Sequence, residues 1–176
     1  MKNINKSVNT WDLSNDYGIG YDNNGNKFYF SKQDFELIKN YYWRVHKHKY
    51  VSTAIWNTET KKIKQIQLHR FLLHPNESQE VDHINHNPSD NRRENLRVVS
   101  TAQNQMNTVI NKNNTSGIKG VNWDKSCNKW RVRISINGER LTLGYYNTLE
   151  EAAQARHDAE LKYYGEYRYI KAILEE

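Results

Sequence analysis

The stretch VDHINHNPSDNRRENLRVVS, residues 81–100, sets two short apolar segments on either side of a long polar loop. The segments Val81–Ile84 and Leu96–Val99 have the residue types of β-strands, and Ser100 is a typical helix N-cap. Strand, loop, strand and a helix that continues through Asn104 fit within about 30 residues, which is the size of a supersecondary unit. We therefore expect the two ends of this stretch to fold back on each other.

Asp82, His83 and Asn104 offer the groups that phosphodiester hydrolysis needs. The reaction requires a base to activate water, a cation to neutralise charge on the phosphoryl oxygens, and stabilisation of the departing alkoxide. The imidazole can act as the base, and the carboxylate and amide oxygens suit a hard ion such as Mg²⁺ or Mn²⁺. A plain alternative is open from the residues alone: a hydrogen-bonded Asp-His surface pair beside asparagines that form turns.

A second pattern follows the segment NKNNTSG, residues 111–117, which has no apolar residue and is predicted to be a linker up to residue 116. Residues 130–136 alternate between apolar and basic or polar types, and Asn137-Gly138 supplies a hairpin turn. The return strand continues the alternation, and we expect Leu141, Leu143 and Tyr145 on its apolar side. Two strands with matching faces are therefore predicted.

A helix is predicted to cover the apolar side of these strands. Thr148 and Glu151 form a capping box, and a stripe at helical spacing follows, made by Ala152, Ala155, Ala159 and Tyr163. The opposite side of the strands then remains open and basic, a shape that can enter a DNA major groove. A basic strand face can also serve only for solubility, and the residues alone leave both interpretations open.

The charge distribution favours a polyanionic partner. The chain of 176 residues has a formal net charge of +6. Between Asn111 and Arg140, seven basic residues stand against two acidic ones, Asp124 and Glu139; the basic ones are Lys112, Lys119, Lys125, Lys129, Arg131, Arg133 and Arg140. Most of the surplus positive charge therefore lies in one segment, as expected for a nucleic-acid-binding surface.

The N-terminal region is predicted to be rich in strands. Phe28–Phe30, Tyr50–Trp56 and Lys61–Gln67 have aromatic and β-branched residues typical of strands. Ser31 and Asp34 are interpreted as an N-cap pair for a short helix, and a second helix is predicted at Leu68–Leu73, ending before Pro75; Arg44, Lys47 and Lys49 are candidates for DNA contact in this region.

The composition excludes several classes of protein. Cys127 is the one cysteine, so the chain has no internal disulfide framework and no Cys-x-x-Cys zinc clip. No apolar run of 18 or more residues occurs, and Met1–Asn5 lacks the apolar core of a secretion signal. We therefore expect a cytoplasmic protein with no membrane association and no small-molecule cofactor.

The central motifs resemble the HNH homing endonucleases of phages and mobile introns. His83, Asn95 and Asn104 look like the His-Asn-Asn form of the motif, within Leu68-His69-Arg70, Val81-Asp82-His83-Ile84, Asn91-Arg92, Glu94-Asn95-Leu96-Arg97 and Gln103-Asn104. The resemblance implies a ββα-metal finger that binds one divalent ion, Mg²⁺ or Mn²⁺. It implies that His83 is the general base, that Asp82 and Asn104 are metal ligands, and that Asn95 braces the loop and orients His83.

His69 precedes this motif. The resemblance suggests that it contacts a phosphate, although a packing role is equally open. Asn104 stands where histidine is commoner in the family, and its amide oxygen still suits a hard cation. A zinc site made of His69, His74, His83 and His86 is disfavoured, because these histidines lack cysteine partners and regular ligand spacing.

The C-terminal motifs resemble the Apetala-type, ethylene-response-factor DNA-binding domain. The similarity lies in Lys119-Gly120-Val121, Lys129-Trp130, Arg140–Tyr145 and Glu150–Ala153. In that family a three-stranded sheet lies in the major groove. The residues expected to contact DNA, from the resemblance and the basic face together, are Lys119, Asn122, Lys129, Arg131, Arg133, Ser135, Arg140 and Thr142. Trp130 falls on the covered face and is expected in the core.

The sequence thus predicts an α+β protein with four segments. These are a β-rich N-terminal region at 1–65, an HNH nuclease core at 66–110, a linker at 111–116 and an Apetala-type domain with a C-terminal tail at 117–176. The expected function is a site-directed, metal-dependent endonuclease acting on double-stranded DNA as a monomer or homodimer. The alternatives are a non-catalytic, sequence-specific DNA-binding regulator and a protein that binds or cuts RNA.

Overall fold

The computed structural model describes residues 8–169 and has a mixed α+β fold. The chain forms two compact units, one running up to Val99 and the other beginning at Ser100. Met1–Asn5 and the C-terminal tail from residue 170 lie outside the described residues. Within residues 8–169, no helix combines the length and apolar character needed to cross a bilayer.

The first unit is built from short strands and two short helices. Its strands are β1 (Thr10–Asp12), β2 (Gly18–Tyr21), β3 (Lys27–Phe30), β4 (Arg44–Val45), β5 (Val51–Asn57), β6 (Lys62–Gln67), β7 (Gln79–His83), β8 (Asp90–Asn91) and β9 (Leu96–Ser100), and its helices are α1 (Phe35–Ile38) and α2 (Leu68–Leu73). They form sheets in the orders β1-β2-β3-β8, β4-β5-β6 and β7-β9. The strands predicted in this region are present, whereas β1, β2, β4 and β8 had no prediction.

The sheet that contains β8 joins the N-terminal region to the polar loop of residues 84–95. Strand β3 pairs with β2 on one edge and, in parallel, with β8 on the other. Gly18 and Gly20 lie opposite Phe30 and Phe28, and a Cβ atom at either glycine would be 2.2 Å from the facing ring. The glycines therefore allow two large rings to lie flat over β2, where they enter the core.

An ion pair between the buried Asp34 and the partly exposed Arg93 ties the same loop to the first short helix. Arg93 donates hydrogen bonds from Nε and Nη2 to Asp34 Oδ1 at 2.9 and 2.7 Å, and its backbone N–H donates to Ser31 Oγ at 2.9 Å. Ser31 and Asp34 make no side-chain cap hydrogen bond, so the predicted N-cap pair is wrong. Ser31 accepts from the Arg93 backbone N–H instead, and Asp34 accepts charge-assisted hydrogen bonds from the Arg93 guanidinium group.

One hydrophobic core spans the predicted boundary at residues 65 and 66. It contains nine buried residues, Phe28, Phe30, Ile38, Trp43, Val51, Leu68, Leu72, Val81 and Leu96. These residues come from both the N-terminal strands and the strands that hold the polar loop. The N-terminal region and the segment up to Val99 therefore fold as one unit, since neither side has a core of its own.

The second unit is a three-stranded antiparallel sheet packed on a helix. It consists of α3 (Thr101–Met106), β10 (Val121–Asp124), β11 (Lys129–Ile136), β12 (Glu139–Tyr146) and α4 (Leu149–Tyr163), with strand order β10-β11-β12. The predicted hairpin turn at Asn137-Gly138 has both residues at positive φ. The predicted capping box of Thr148 and Glu151 is present at the start of α4.

Two details of this unit differ from the alternation that the sequence suggests. A β-bulge between Val132 and Arg133 shifts the register, so that Tyr145 pairs with Arg131 and lies on the basic side of the sheet. The helix buries Ala152, Arg156 and Ala159, and Tyr164 rather than Tyr163 packs on the sheet. The prediction of Tyr145 on the apolar side is therefore wrong, because the bulge reverses the alternation at the end of β12. The prediction of Tyr163 in the covering stripe is also wrong, because the residue after it is buried in its place.

The predicted linker, residues 111–116, lies within the second unit. Asn114 Nδ2 donates to the Ile118 carbonyl at 2.9 Å, and Ser116 Oγ donates to the Val121 carbonyl at 2.7 Å. The division between the units falls instead between Val99 and Ser100. The polar segment is thus fixed by local hydrogen bonds, which its composition alone does not indicate.

We predict that Asp34→Ala lowers the free energy of unfolding by roughly 2 kcal/mol, because it removes the charge-assisted hydrogen bonds between a buried carboxylate and the partly exposed Arg93 that hold the polar loop. The matched control is Glu36→Ala, which removes the exposed Glu36–Lys39 pair and should cost under about 1 kcal/mol. Urea denaturation of the full chain measures both. Equal losses in the two variants would contradict the anchoring role of Asp34.

Candidate active site and nucleic-acid interface

Asp82 and His83 are the last two residues of β7, which pairs with β9 in a two-stranded sheet. Both residues are only 6% exposed. Asp82 Oδ2 accepts hydrogen bonds from Nε and Nη2 of Arg97 at 2.9 and 2.8 Å. The predicted carboxylate ligand therefore lies in a buried ion pair whose cation comes from the neighbouring strand β9.

His83 lies in a cluster of three rings. The imidazoles of His69 and His83 meet edge to face, with ring centroids 4.9 Å apart. Tyr50 contacts both, at centroid distances of 5.8 Å from His69 and 6.1 Å from His83. Helix α2 positions His69 and β7 positions His83, so the structure brings together two residues that sequence analysis selected separately.

Burial keeps both imidazoles in the neutral form. Burial, with smaller contributions from His83 and Arg70, lowers the pKa of His69 to about 3. Burial also lowers the pKa of His83 below its ordinary value, although Asn91 and Asp82 act in the opposite direction. A neutral imidazole can accept a proton, so His83 is in the protonation state that a general base needs at neutral pH.

Asn95 fixes the polar loop that follows His83. Its side-chain oxygen accepts from the Asn85 backbone N–H at 2.9 Å, and its amide donates to the Asp90 carbonyl at 2.8 Å. Its own carbonyl accepts from the Ile84 backbone N–H at 2.9 Å. Asn95 is buried and spans both ends of the loop, which is the geometry that a bracing role requires.

A second buried carboxylate stabilises the same loop. Asp90 accepts hydrogen bonds from Arg92 Nε at 2.8 Å and Nη2 at 2.7 Å, and from Asn85 Nδ2 at 2.8 Å. Burial raises the pKa of Asp90, but these hydrogen bonds and the charge of Arg92 outweigh it, so the net pKa is lowered. The loop between the two strands is therefore held by charge-assisted hydrogen bonds.

Asn104, the other predicted metal ligand, lies on α3 in the second unit. A complete capping box of Ser100 and Gln103 starts this helix, as predicted for Ser100. Among residues 8–169, no group of three or more His, Cys, Asp or Glu side chains is arranged to hold a metal ion. The oxygen donors of Asp82 and Asn104 suit a hard divalent cation by their chemistry.

A groove of about 820 Å³ opens beside the ring cluster in the first unit. Tyr50 forms part of its wall, with the basic residues Lys64 and Arg70 and the imidazole of His74. Ser52 and Gln65 also line the groove, and Gln65 Nε2 donates a hydrogen bond to Ser52 Oγ at 2.7 Å. Ile66, Phe71 and Pro75 give the groove apolar walls as well, and Glu77 is the one acidic residue among its described lining residues. Its basic residues are suited to contact with a polyanionic chain.

The basic face of the second unit gathers most of the predicted DNA-binding residues. Register places Arg133 opposite Thr142 and Asn122 opposite Arg131. Arg131 is bound to Asp124 at 3.2 Å. Burial lowers the pKa of Arg133, and the positive charges of Arg131 and Arg140 lower it further, so like charges are crowded on this face.

Lys119 differs from its predicted role. Its ammonium group donates to the carbonyl oxygens of Met106 and Thr108 at 3.0 Å each, and to Thr108 Oγ1 at 2.7 Å. These acceptors lie at the end of α3, where cations are favourable. Gly120 follows at φ 77°, and a Cβ there would be 2.3 Å from the Arg133 carbonyl. In the structure, the Lys119 ammonium group is therefore hydrogen bonded to oxygen atoms of the second unit.

Several contacts of this site had no sequence signal. The motif Glu94-Asn95-Leu96-Arg97 contains Arg97, but nothing in its pattern indicates an ion pair with Asp82. Tyr50 was assigned to a strand, and its contact with two histidines depends on how β5 and α2 pack. The sequence indicates this contact only in that Tyr50 is aromatic, because aromatic side chains often pack against other rings.

The comparisons with known proteins agree with the position of this site. A family model described as HNH endonuclease matches residues 75–106, which include Asp82, His83, Asn95 and Asn104. Protein 3.8 of Escherichia phage T7 is 34% identical over 73 residues, or 42% of this chain and 60% of that protein. This chain thus spans about 60% of the length of that relative. No solved structure matches, and the Apetala-type resemblance stays a prediction.

We predict that burial of His69 makes the stability of the chain depend on pH. The pKa of His69 is about 3 in the folded chain, below its ordinary value of 6.5. As pH falls through 6.5 the unfolded chain gains a proton that the folded chain does not, so stability is lost between pH 6.5 and 3. The slope approaches about 1.4 kcal/mol per pH unit.

The test compares wild type with His69→Gln by urea denaturation from pH 7 to pH 5. The wild type should lose more free energy of unfolding than the variant over this range. His157→Gln, at an exposed position on α4, is the matched control and should follow the wild type. Parallel curves for wild type and His69→Gln would show that His69 is not buried in its neutral form.

Proposed function

We propose that this protein is an endonuclease of the HNH type that hydrolyses a phosphodiester bond of double-stranded DNA. The observation that carries the proposal is that the segment matching HNH endonucleases contains a buried, neutral imidazole, His83, next to a buried carboxylate, Asp82. A base beside an oxygen ligand is the pair of groups that metal-assisted hydrolysis requires.

In the proposed reaction His83 accepts a proton from the water that attacks phosphorus. Asn95 acts as a positioning residue, because its hydrogen bonds fix the loop that begins directly after His83. His69, in contact with the His83 ring, limits the directions in which that ring can turn. Loss of the 3′ oxygen from phosphorus then leaves a 5′-phosphate end.

Asp82 and Asn104 are the proposed ligands of one divalent ion, Mg²⁺ or Mn²⁺. When bound, such an ion would neutralise charge on the phosphoryl oxygens and stabilise the leaving oxygen. Arg97, on β9, donates two hydrogen bonds to Asp82 Oδ2 and thereby orients the carboxylate. The ion itself would take its remaining ligands from water and phosphate.

The basic face of the second unit is proposed to hold the DNA while the first unit cuts it. Support comes from the position of Arg131, Arg133, Arg140 and Thr142 on one open side of the sheet. The groove beside Tyr50 is proposed to accept the strand that is cut. A relative from a phage and one exposed, free cysteine are consistent with action in the cytoplasm of a host cell.

We predict that His83→Ala reduces plasmid cleavage by about 10²–10⁴-fold, because a general base contributes that much to the rate. Binding to duplex DNA should be retained, and the circular dichroism spectrum should be unchanged. His157→Ala, at an exposed position, is the control and should cut like the wild type. A wild-type protein that binds DNA but cuts none with Mg²⁺ or Mn²⁺ would instead be a DNA-binding regulator.

We predict that EDTA stops plasmid cleavage and that an excess of Mg²⁺ or Mn²⁺ restores it. Asp82→Asn should raise the concentration of metal needed for half-maximal cleavage, since an amide is a weaker ligand than a carboxylate. The control is Asp16→Asn, which removes one exposed carboxylate of the same unit and should not change the metal requirement. Full cleavage in EDTA would reject the metal assignment.

A further inference from the structure

A polar cleft of about 620 Å³ lies wholly within the second unit. One wall is the open face of the sheet, with Arg133 and Arg140. The other wall is formed by residues 108–114, which sequence analysis assigned in part to a linker. The cleft thus lies between the predicted DNA-binding face and a segment that was predicted to be only a spacer.

The cleft concentrates positive charge. Four cationic side chains line it, Lys119, Arg133, Arg140 and Arg156, and none of its described lining residues is acidic. Arg156 is neutralised by Glu160, whose Oε1 accepts from its Nε and Nη2 at 2.9 and 2.7 Å. Within residues 8–169, Arg133 and Arg140 take part in no salt bridge, so their charges have no anionic partner there.

The wall formed by residues 108–114 is held in place by hydrogen bonds. Lys119 binds both acceptors of Thr108, and the backbone N–H groups of Asn113 and Asn114 donate to Oδ1 and the carbonyl of Asn111 at 3.1 and 2.9 Å. The side-chain amide of Asn113 makes no hydrogen bond to any residue that the structure describes. Residues 108–114 therefore present a rigid, hydrogen-bonding wall to the arginines of the sheet.

We propose that this cleft binds a phosphodiester group of the DNA backbone, with Arg133 and Arg140 on one side and the Asn113 amide on the other. The inference rests on the proposed DNA binding of the second unit and goes further, because it assigns residues 108–114 to the binding surface. A phosphate provides the missing anion, and both guanidinium and amide N–H groups donate to its oxygens. Lys119 adds a further positive charge to the cleft, whereas the charge of Arg156 is balanced by Glu160.

The test is binding of a fluorescent duplex of mixed sequence to the full chain in EDTA, over a series of salt concentrations. Asn113→Asp places a carboxylate in the cleft and should weaken binding about tenfold at 0.1 M salt. It should also reduce the slope of log affinity against log salt by about 0.9, because the added negative charge cancels one of the positive charges that displace counterions from the phosphates. Arg140→Gln should have the same two effects.

The matched control is Gln154→Glu, the same amide-to-carboxylate change on α4, which packs on the other side of the sheet. It should change affinity and slope much less than Asn113→Asp. If Arg140→Gln weakens binding while Asn113→Asp behaves like the control, residues 108–114 are not part of the surface. If Arg140→Gln also leaves binding unchanged, the proposed function of the sheet fails as well, so the two failures are distinguishable.

Discussion

The parallel pairing of β3 with β8 is the interaction on which the first unit depends. Strand β8 comes from the middle of the polar loop, and without a strand to pair with, its backbone groups would need water or another partner. Because β3 satisfies them, the loop can lie against a hydrophobic core although it has almost no apolar residue. The Asp34–Arg93 ion pair adds a second attachment a few residues further along.

The two units differ in how their charged side chains are paired. In the first, three buried carboxylates are each paired with an arginine, Asp34 with Arg93, Asp82 with Arg97 and Asp90 with Arg92, and a fourth, Asp22, accepts hydrogen bonds from Asn26 and a backbone N–H. In the second, arginines of the sheet face are crowded together, and the pKa of Arg133 is lowered first by burial and then by the positive charges of Arg131 and Arg140. The ion pairs restrain the side chains of the first unit, whereas the excess positive charge on the sheet of the second unit favours an anionic ligand.

The sequence predicted most local elements but not how they are joined. Strands β5, β7, β11 and β12, helix α2, the Ser100 N-cap and the Thr148–Glu151 capping box follow from residue type and spacing, because these are short-range effects. The pairing of β3 with β8 and the contact of Tyr50 with His69 and His83 depend on residues far apart in the chain. The β-bulge that moves Tyr145 to the other side of the sheet could not be predicted either, because the alternation of residue types assumes an uninterrupted strand register.

The division of the chain between Val99 and Ser100 has a consequence for how such proteins can be recombined. An exchange of the C-terminal module at this point would carry helix α3, and with it Asn104, to the new protein. Acquiring a new sheet, the element proposed to bind DNA, would then also mean acquiring a new residue at a proposed ligand position. Inheritance of the two proposed activities is therefore linked, and module swapping, in nature or in the laboratory, should succeed most readily at a junction after α3.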